Sequence, residues 1–186
     1  MNPVRLVHPE VEPVSLALAK QWCTVEHDED NALIEMLIGS ARETCEAHLG
    51  RTIMLSTWEL KVDGLPPAIA LPYPRVLQVA ALDFVAPSGE LQTLDPQDYQ
   101  LDEASEPAYL VPAYGCAWPE ARCEPNAVRV RYRAGWENPD QVPKRVKTWI
   151  LEHVAHFHRN REAATEGNLQ RLPHFDGLIE TLRVWG

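Results

Sequence analysis

The stretch NALIEMLIGSARETCEAHLG, residues 31–50, decides the fold. Leu33, Ile34, Leu37, Ile38, Ala41, Cys45 and Leu49 recur mostly at three- and four-residue steps. That spacing draws one apolar stripe along about five turns of helix. Gly50 suits the left-handed backbone that ends a helix. Just upstream, His27-Asp28-Glu29-Asp30 reads as a start signal, with an aspartate to cap and acids beside the positive end of the helix dipole. The same cluster, read as carboxylates for acid–base or metal chemistry, is explained more simply by that helix start.

Further towards the N-terminus, Ser15 is placed as an N-cap and Val14 as a hydrophobic staple. A short helix follows over Leu16–Trp22, with Leu18 and Trp22 four apart on one face. Residues 1–14 carry Pro3, Pro9 and Pro13 and read as an extended arm. Arg5, Glu10 and Glu12 in this arm rule out a signal-peptide core.

Beyond Gly50 the period changes from helical to two. Met54, Trp58, Leu60 and Val62 fall on one side, interrupted by Ser56, with Glu59 and Lys61 opposite. Ala68–Leu71 and Val76–Val85 read as strands. Pro87-Ser88-Gly89-Glu90 turns the second of these into Leu91–Leu94 as a hairpin. Tyr99–Leu101 and Tyr109–Val111 read as short strands, and residues 112–126 as irregular. Ala127–Ala134 alternates cleanly. Pro143 fits the first turn of a second long helix, running to about Arg161, with Val146, Trp149, Ile150, His153, Val154 and Phe157 in its stripe. A last short helical segment lies within Phe175–Trp185.

These elements predict an α+β fold: a helical core of two long amphipathic helices plus short ones, carrying a strand-rich insertion. The expected parts are an arm over 1–14, a helical core over 15–52 and 140–162, an insertion over 53–139 and a tail over 163–186. Each apolar stripe needs a partner face, and the two long ones can supply it to each other. A chain of 186 residues can bury such a core without metal or disulfide. No apolar run approaches the roughly 20 residues needed to cross a bilayer.

Cys23, Cys45, Cys116 and Cys123 form no CxxC pair and read as free, mostly buried thiols. Cys116 and Cys123 lack a second Cys/His pair that would complete a zinc site. The net charge of −10 is unevenly spread. Residues 1–128 hold 7 Lys/Arg against 20 Asp/Glu, and residues 129–186 hold 10 against 7. The acidic part repels free nucleic acid.

The sequence lacks a nucleophile elbow, a phosphate loop, a dinucleotide fingerprint, a zincin helix and an EF-hand loop. His153 and His156 are spaced to share a helix face as metal ligands, but no third ligand stands near them, and His153 lies in the apolar stripe. No catalytic residue, metal site or cofactor is assigned. Two groups of residues are candidates for partner contact. Arg129, Arg131 and Arg133 alternate on one strand face, roughly 7 Å apart in steps of two residues. They could meet phosphates or an acidic partner, or form a solvated outer face. Leu182, Arg183, Val184 and Trp185 are the second group; a terminal tryptophan either tucks onto its own fold or anchors in a neighbour.

Taken in order, several weak motifs span nearly the whole chain: Glu12-Pro-Val-Ser-Leu-Ala-Leu-Ala-Lys20, Ala32-Leu-Ile34, Ala41-Arg-Glu43, Gly50-Arg51, Thr57-Trp58-Glu59-Leu60, Leu71-Pro72-Tyr-Pro74, Val79, Tyr99, Ala127-Val-Arg-Val130, Ala134-Gly135-Trp136, Val142-Pro143 and Asn160-Arg161-Glu162. The chain thereby resembles the head–tail connector (adaptor) family of long-tailed bacteriophages and related gene-transfer particles. It departs from the pattern at Leu18, where relatives often carry an acid that completes a capping box.

The resemblance implies a structural, non-enzymatic subunit of a twelve-subunit ring beneath the portal, assembled in the host cytoplasm and located at the head–tail junction of the virion. Its implied partners are further copies of itself, the portal protein, and a tail-side stopper or terminator protein. Genomic DNA would pass through the lumen without specific binding, and no membrane is involved. In that family the segment matching Leu178–Trp185 commonly reaches the portal. A ring subunit needs two different lateral faces. The alternatives are a tail completion or stopper protein, and a small metal-dependent enzyme built on His153 and His156.

Overall fold

The structure, a computed structural model, describes residues 3–160 and 173–184. The chain divides into two compact units. A β unit takes the residues up to Pro9 and Leu55–Gly135, and a helical unit takes Glu10–Met54 and the chain from Trp136 onward.

The β unit holds eight strands among the described residues: β1 (Val4–Val7), β2 (Ser56–Val62), β3 (Ile69–Leu71), β4 (Val76–Val85), β5 (Leu91–Thr93), β6 (Tyr99–Asp102), β7 (Ala108–Pro112) and β8 (Val128–Ala134). A five-stranded antiparallel sheet runs β1-β2-β8-β4-β5, and a three-stranded one runs β3-β7-β6. Alternation along β2 and β8 aims Trp58, Leu60, Val130 and Tyr132 to one side. There they share a core with Leu82 of β4 and with Ile69, Leu71 and Leu110 of the smaller sheet. The three-stranded sheet therefore covers the inner face of the five-stranded one.

Part of the expected extended arm is a strand. Val4–Val7 pairs with β2 as an edge strand, and Arg5 lies over the Trp58 ring at 4.5 Å. Ser56 does not interrupt the β2 stripe, because it is buried alongside Trp58, Leu60 and Val62. Met54 leaves that stripe altogether. It bridges to Trp136 and is buried in the helical unit. The hairpin between β4 and β5 forms as expected, with Val85 opposite Leu91 and Gly89 at φ +91° in the turn.

The helical unit comprises α1 (Leu16–Cys23), α2 (Asn31–Leu49), α3 (Lys144–Arg159) and α4 (Pro173–Ile179), with single 3-10 turns at Pro139–Gln141 and Glu180–Leu182. Ile34, Ile38, Cys45 and Leu49 of α2 pack in one core with Val146, Trp149, Ile150 and Val154 of α3. Gly50 ends α2 at φ +63°, as the sequence predicts. Two details differ. On α1 the buried residue is Ala19, while Leu18 and Trp22 are both exposed. On α3, Phe157 is exposed, edge-on to His156.

The acids before α2 also act differently from the expected cap. Asp30 occupies the N-cap position but makes no side-chain cap bond. Its Oδ2 lies 2.9 Å from His158 Nε2 instead, tying the start of α2 to the last turn of α3. Asp28 accepts from Lys20 Nζ at 2.6 Å and from Asn31 Nδ2 at 3.2 Å, and these bonds lower its pKa.

Candidate interaction surface

Within the β unit, β8 is the central strand, and its register places the arginines in context. On the outer face Arg133 stands opposite Thr57, Arg131 opposite Glu59, and Arg129 opposite Lys61. On the other flank Arg129 faces Asp83 and Arg131 faces Ala81. The three arginines thus share one face, turned away from the core.

Their surroundings are not equal. Arg131 Nη2 lies 2.9 Å from Asp83 Oδ2. Asp83 is itself almost covered and also accepts from Thr93 Oγ1 at 2.6 Å. Lys61 Nζ lies 3.3 Å from Glu59 Oε1. Arg129 and Arg133 have no ion pair or side-chain hydrogen bond among the described residues. The row is therefore ion-paired at its middle, and Asp83, which holds Arg131, also stands across from Arg129.

The C-terminal candidates are drawn onto the helical unit. Val184 donates its backbone N–H to the Leu49 carbonyl at 2.8 Å, and the Leu182 carbonyl accepts from Arg51 Nε at 3.0 Å. Leu182 packs against the helical core, and Ile179 is fully buried. Arg183 is exposed, with Nη1 3.4 Å from Glu180 Oε1. Residues 182–184 thus run beside the end of α2, and Leu182 spends its apolar surface inside its own unit. Trp185 lies outside the described residues, as does the expected end of the second long helix at Arg161.

His153 behaves as a core histidine. It stacks on Trp149 with ring centroids 3.6 Å apart, and its Nδ1–H donates to the Trp149 carbonyl at 3.2 Å. Burial lowers its pKa, against the carbonyl bond and the charge of Asp176. No group of three or more His, Cys, Asp or Glu is placed to hold a metal ion among the described residues. All four cysteines are free. Cys45 is buried, which pushes its thiol pKa up. Cys116 and Cys123 are exposed rather than buried, because they fall in the irregular segment before β8. No helix among the described residues is long and apolar enough to cross a membrane.

Periodicity does not reveal two charge features. One is a buried network: Arg42, only 3% exposed, donates Nε to Glu12 at 2.8 Å and Nη1 to Glu46 at 2.9 Å. Glu46 Oε1 then accepts the Ile53 N–H at 2.8 Å. The other is a run on and beside β6 with Asp95, Asp98, Asp102, Glu103 and Glu106 and no lysine or arginine between them. Counting charge sign in a short window would have found the second. The first needs the fold.

The described residues thus form an α+β protein of two compact units. Comparison with solved structures gives that architecture a context: it is shared over the whole chain with proteins of gene transfer agent (GTA) particles. A chain in a structure of the virion of a native GTA particle superposes with a TM-score of 0.81 at 15% identity, covering 100% of this chain and 97% of that one. A chain in the neck of an empty GTA particle, computed with C6 symmetry, gives 0.77 at 17% identity with the same coverage. A chain in the neck of a native GTA particle, computed with C12 symmetry, gives 0.75 at 17% identity, again with that coverage. No family model matches the chain, and no curated protein matches it.

Proposed function

We propose that this protein is a structural head–tail adaptor subunit, forming a ring below the portal that extends the DNA channel and joins head to tail. The observation that carries this reading is the end-to-end likeness of fold to chains in GTA neck structures computed with C6 and C12 symmetry. Coverage of 100% of this chain means that both units are matched, not one common module. The order of motifs along the sequence supports the same assignment independently.

A ring built by rotation needs head-to-tail contacts between two different patches of each subunit. The arginine row on β8 and the exposed β1 edge are surfaces of the required kind. The test is electron microscopy of the purified protein mixed with the portal protein of the same particle. A closed ring seated on the portal is the expected result. Binding to the tail tube alone would replace the adaptor by a tail completion or stopper protein.

A further inference from the structure

The five-stranded sheet has two different edges, and no described strand pairs with the outer side of β1 or of β5. Both edges are short: β1 spans four residues and β5 three. Prolines bound each of them. Pro3 and Pro9 flank β1, and Pro87 and Pro96 stand on either side of β5. Proline cannot donate a backbone hydrogen bond, so each edge offers only a brief ladder to another strand.

The apolar side chains of the two edges share a face. Val4 stands opposite Glu59 and Val7 opposite Thr57, which puts them on the outer face with Arg131 and Arg133. Leu91 stands opposite Val85, two residues from Asp83, and Asp83 faces Arg129, so Leu91 lies on that face too. Val4 is 58% exposed, Val7 52% and Leu91 58%. Four antiparallel pairings separate β1 from β5, so the two edges run in the same direction. The edge segments also differ in sign. Residues 3–8 carry Arg5 and His8 and no acid, whereas residues 90–95 carry Glu90 and Asp95 and no base. Arg5 keeps its place over the Trp58 ring and Asp95 accepts the Gln97 N–H, so charge steers this contact while backbone bonds and apolar side chains hold it.

We propose that the sheet continues from copy to copy: β1 of one subunit adds to β5 of the next as a parallel pair, with Val4 and Val7 beside Leu91 and Thr93. The inference rests on the ring reading and names the occupant of the β1 edge as a second copy of this chain. A strand edge is satisfied by backbone hydrogen bonds, so its occupant presents an extended strand. Matching length, shared direction, a common apolar face and opposite sign select β5. The two edges are unlike, so the contact is head-to-tail and closes by rotation. The small rotation per copy in such a ring changes strand direction little, which makes the added pair parallel.

The experiment is cysteine cross-linking of rings formed on the purified portal protein, in a chain whose exposed Cys116 and Cys123 are replaced by serine. One variant carries Val4→Cys with Leu91→Cys, and another Val7→Cys with Thr93→Cys. Neighbouring strands lie about 4.8 Å apart, within reach of a disulfide. Mild oxidation then gives a ladder of linked subunits on a non-reducing gel. Its yield is roughly tenfold above that of Val4→Cys with Gln92→Cys, whose second thiol lies on the opposite face, because a disulfide forms only between closely placed Cβ atoms. Independently, Val4→Asp with Leu91→Asp lowers the yield of rings seen by electron microscopy. Like charges facing across strands weaken each contact by roughly fivefold, compounded around the ring.

Thermal melts matching the native protein check that the variants fold. Rings that form without either ladder overturn the inference, as do rings that survive the aspartate pair undiminished. Equal ladders from the Gln92→Cys control, or from the chain before rings form, would reduce the linking to random collision and overturn it too. Absence of rings from the native protein would sink the adaptor reading itself, so the two failures are distinct.

Discussion

Arg42 Nη1 and Glu46 Oε2 lie 2.9 Å apart inside the helical unit, one turn apart on α2, and both side chains are more than nine-tenths covered. The pair is held from outside the helix as well, by Glu12 on the Arg42 Nε and by the Ile53 N–H on Glu46. It fastens the chain before α1 and the chain after α2 to the same helix.

Truncating one partner leaves the other charge buried and uncompensated. Arg42→Met should cost ~3–5 kcal/mol, whereas replacing both partners by apolar residues should cost less. Equilibrium denaturation of the single and double variants measures this. A single variant within 1 kcal/mol of the native protein would show that Glu46 finds water instead.

Gly50 closes α2 with left-handed backbone, and a Cβ there would lie 3.3 Å from the Val184 carbonyl. Gly50→Ala should cost ~1–2 kcal/mol from the backbone alone. It should also push away the C-terminal strand of chain bonded to Leu49. Hydrogen exchange at the Val184 amide reads this directly: its protection should fall more than that of amides in the middle of α2.

His153 supplies a pH dependence whose sign follows from burial. Its folded pKa lies below the ordinary 6.5 because the covered ring resists charge. As pH falls through 6.5 the unfolded chain takes up the proton first, so stability drops until the lower folded value is passed. His153→Phe should flatten the stability curve between pH 7 and pH 5 relative to the native protein. Parallel curves for the two would remove burial of this ring as the cause.

Tyr132 is fully buried in the β unit, and its hydroxyl donates to the Pro72 carbonyl at 2.7 Å. Burial raises its pKa, so it stays a donor across the usual working range. Tyr132→Phe leaves that carbonyl without its donor and should cost ~1–2 kcal/mol. Urea melts should show a lower midpoint at unchanged slope. An unchanged midpoint would mean that the bond adds nothing net.

Much of the fold is legible in local pattern. β4 begins and ends where alternation and its bounding turns put it, and α2 runs to Gly50. The candidate site is legible only in part. Alternation assigns Arg129, Arg131 and Arg133 to one face, yet it cannot tell that Asp83 claims the middle one. The terminal segment shows the same limit: nothing near Leu182 in sequence announces the Arg51 side chain that binds its carbonyl. His158 and Asp30 are likewise joined across most of the chain.

Side-chain direction repeats every 3.6 residues in a helix and every two in a strand, so a short window of residues suffices to say which side of an element is apolar. That much the amino-acid order determined unaided: the stripe of α2, the inner and outer faces of β8, and the acidity of the run around β6. Tertiary structure alone decided which elements cover which faces. It brought Val4–Val7 to the edge of β2, took Met54 out of the strand stripe, and joined the two sheets through one shared core. Those outcomes depend on pairing and packing between residues distant in the chain, for which local periodicity carries no information.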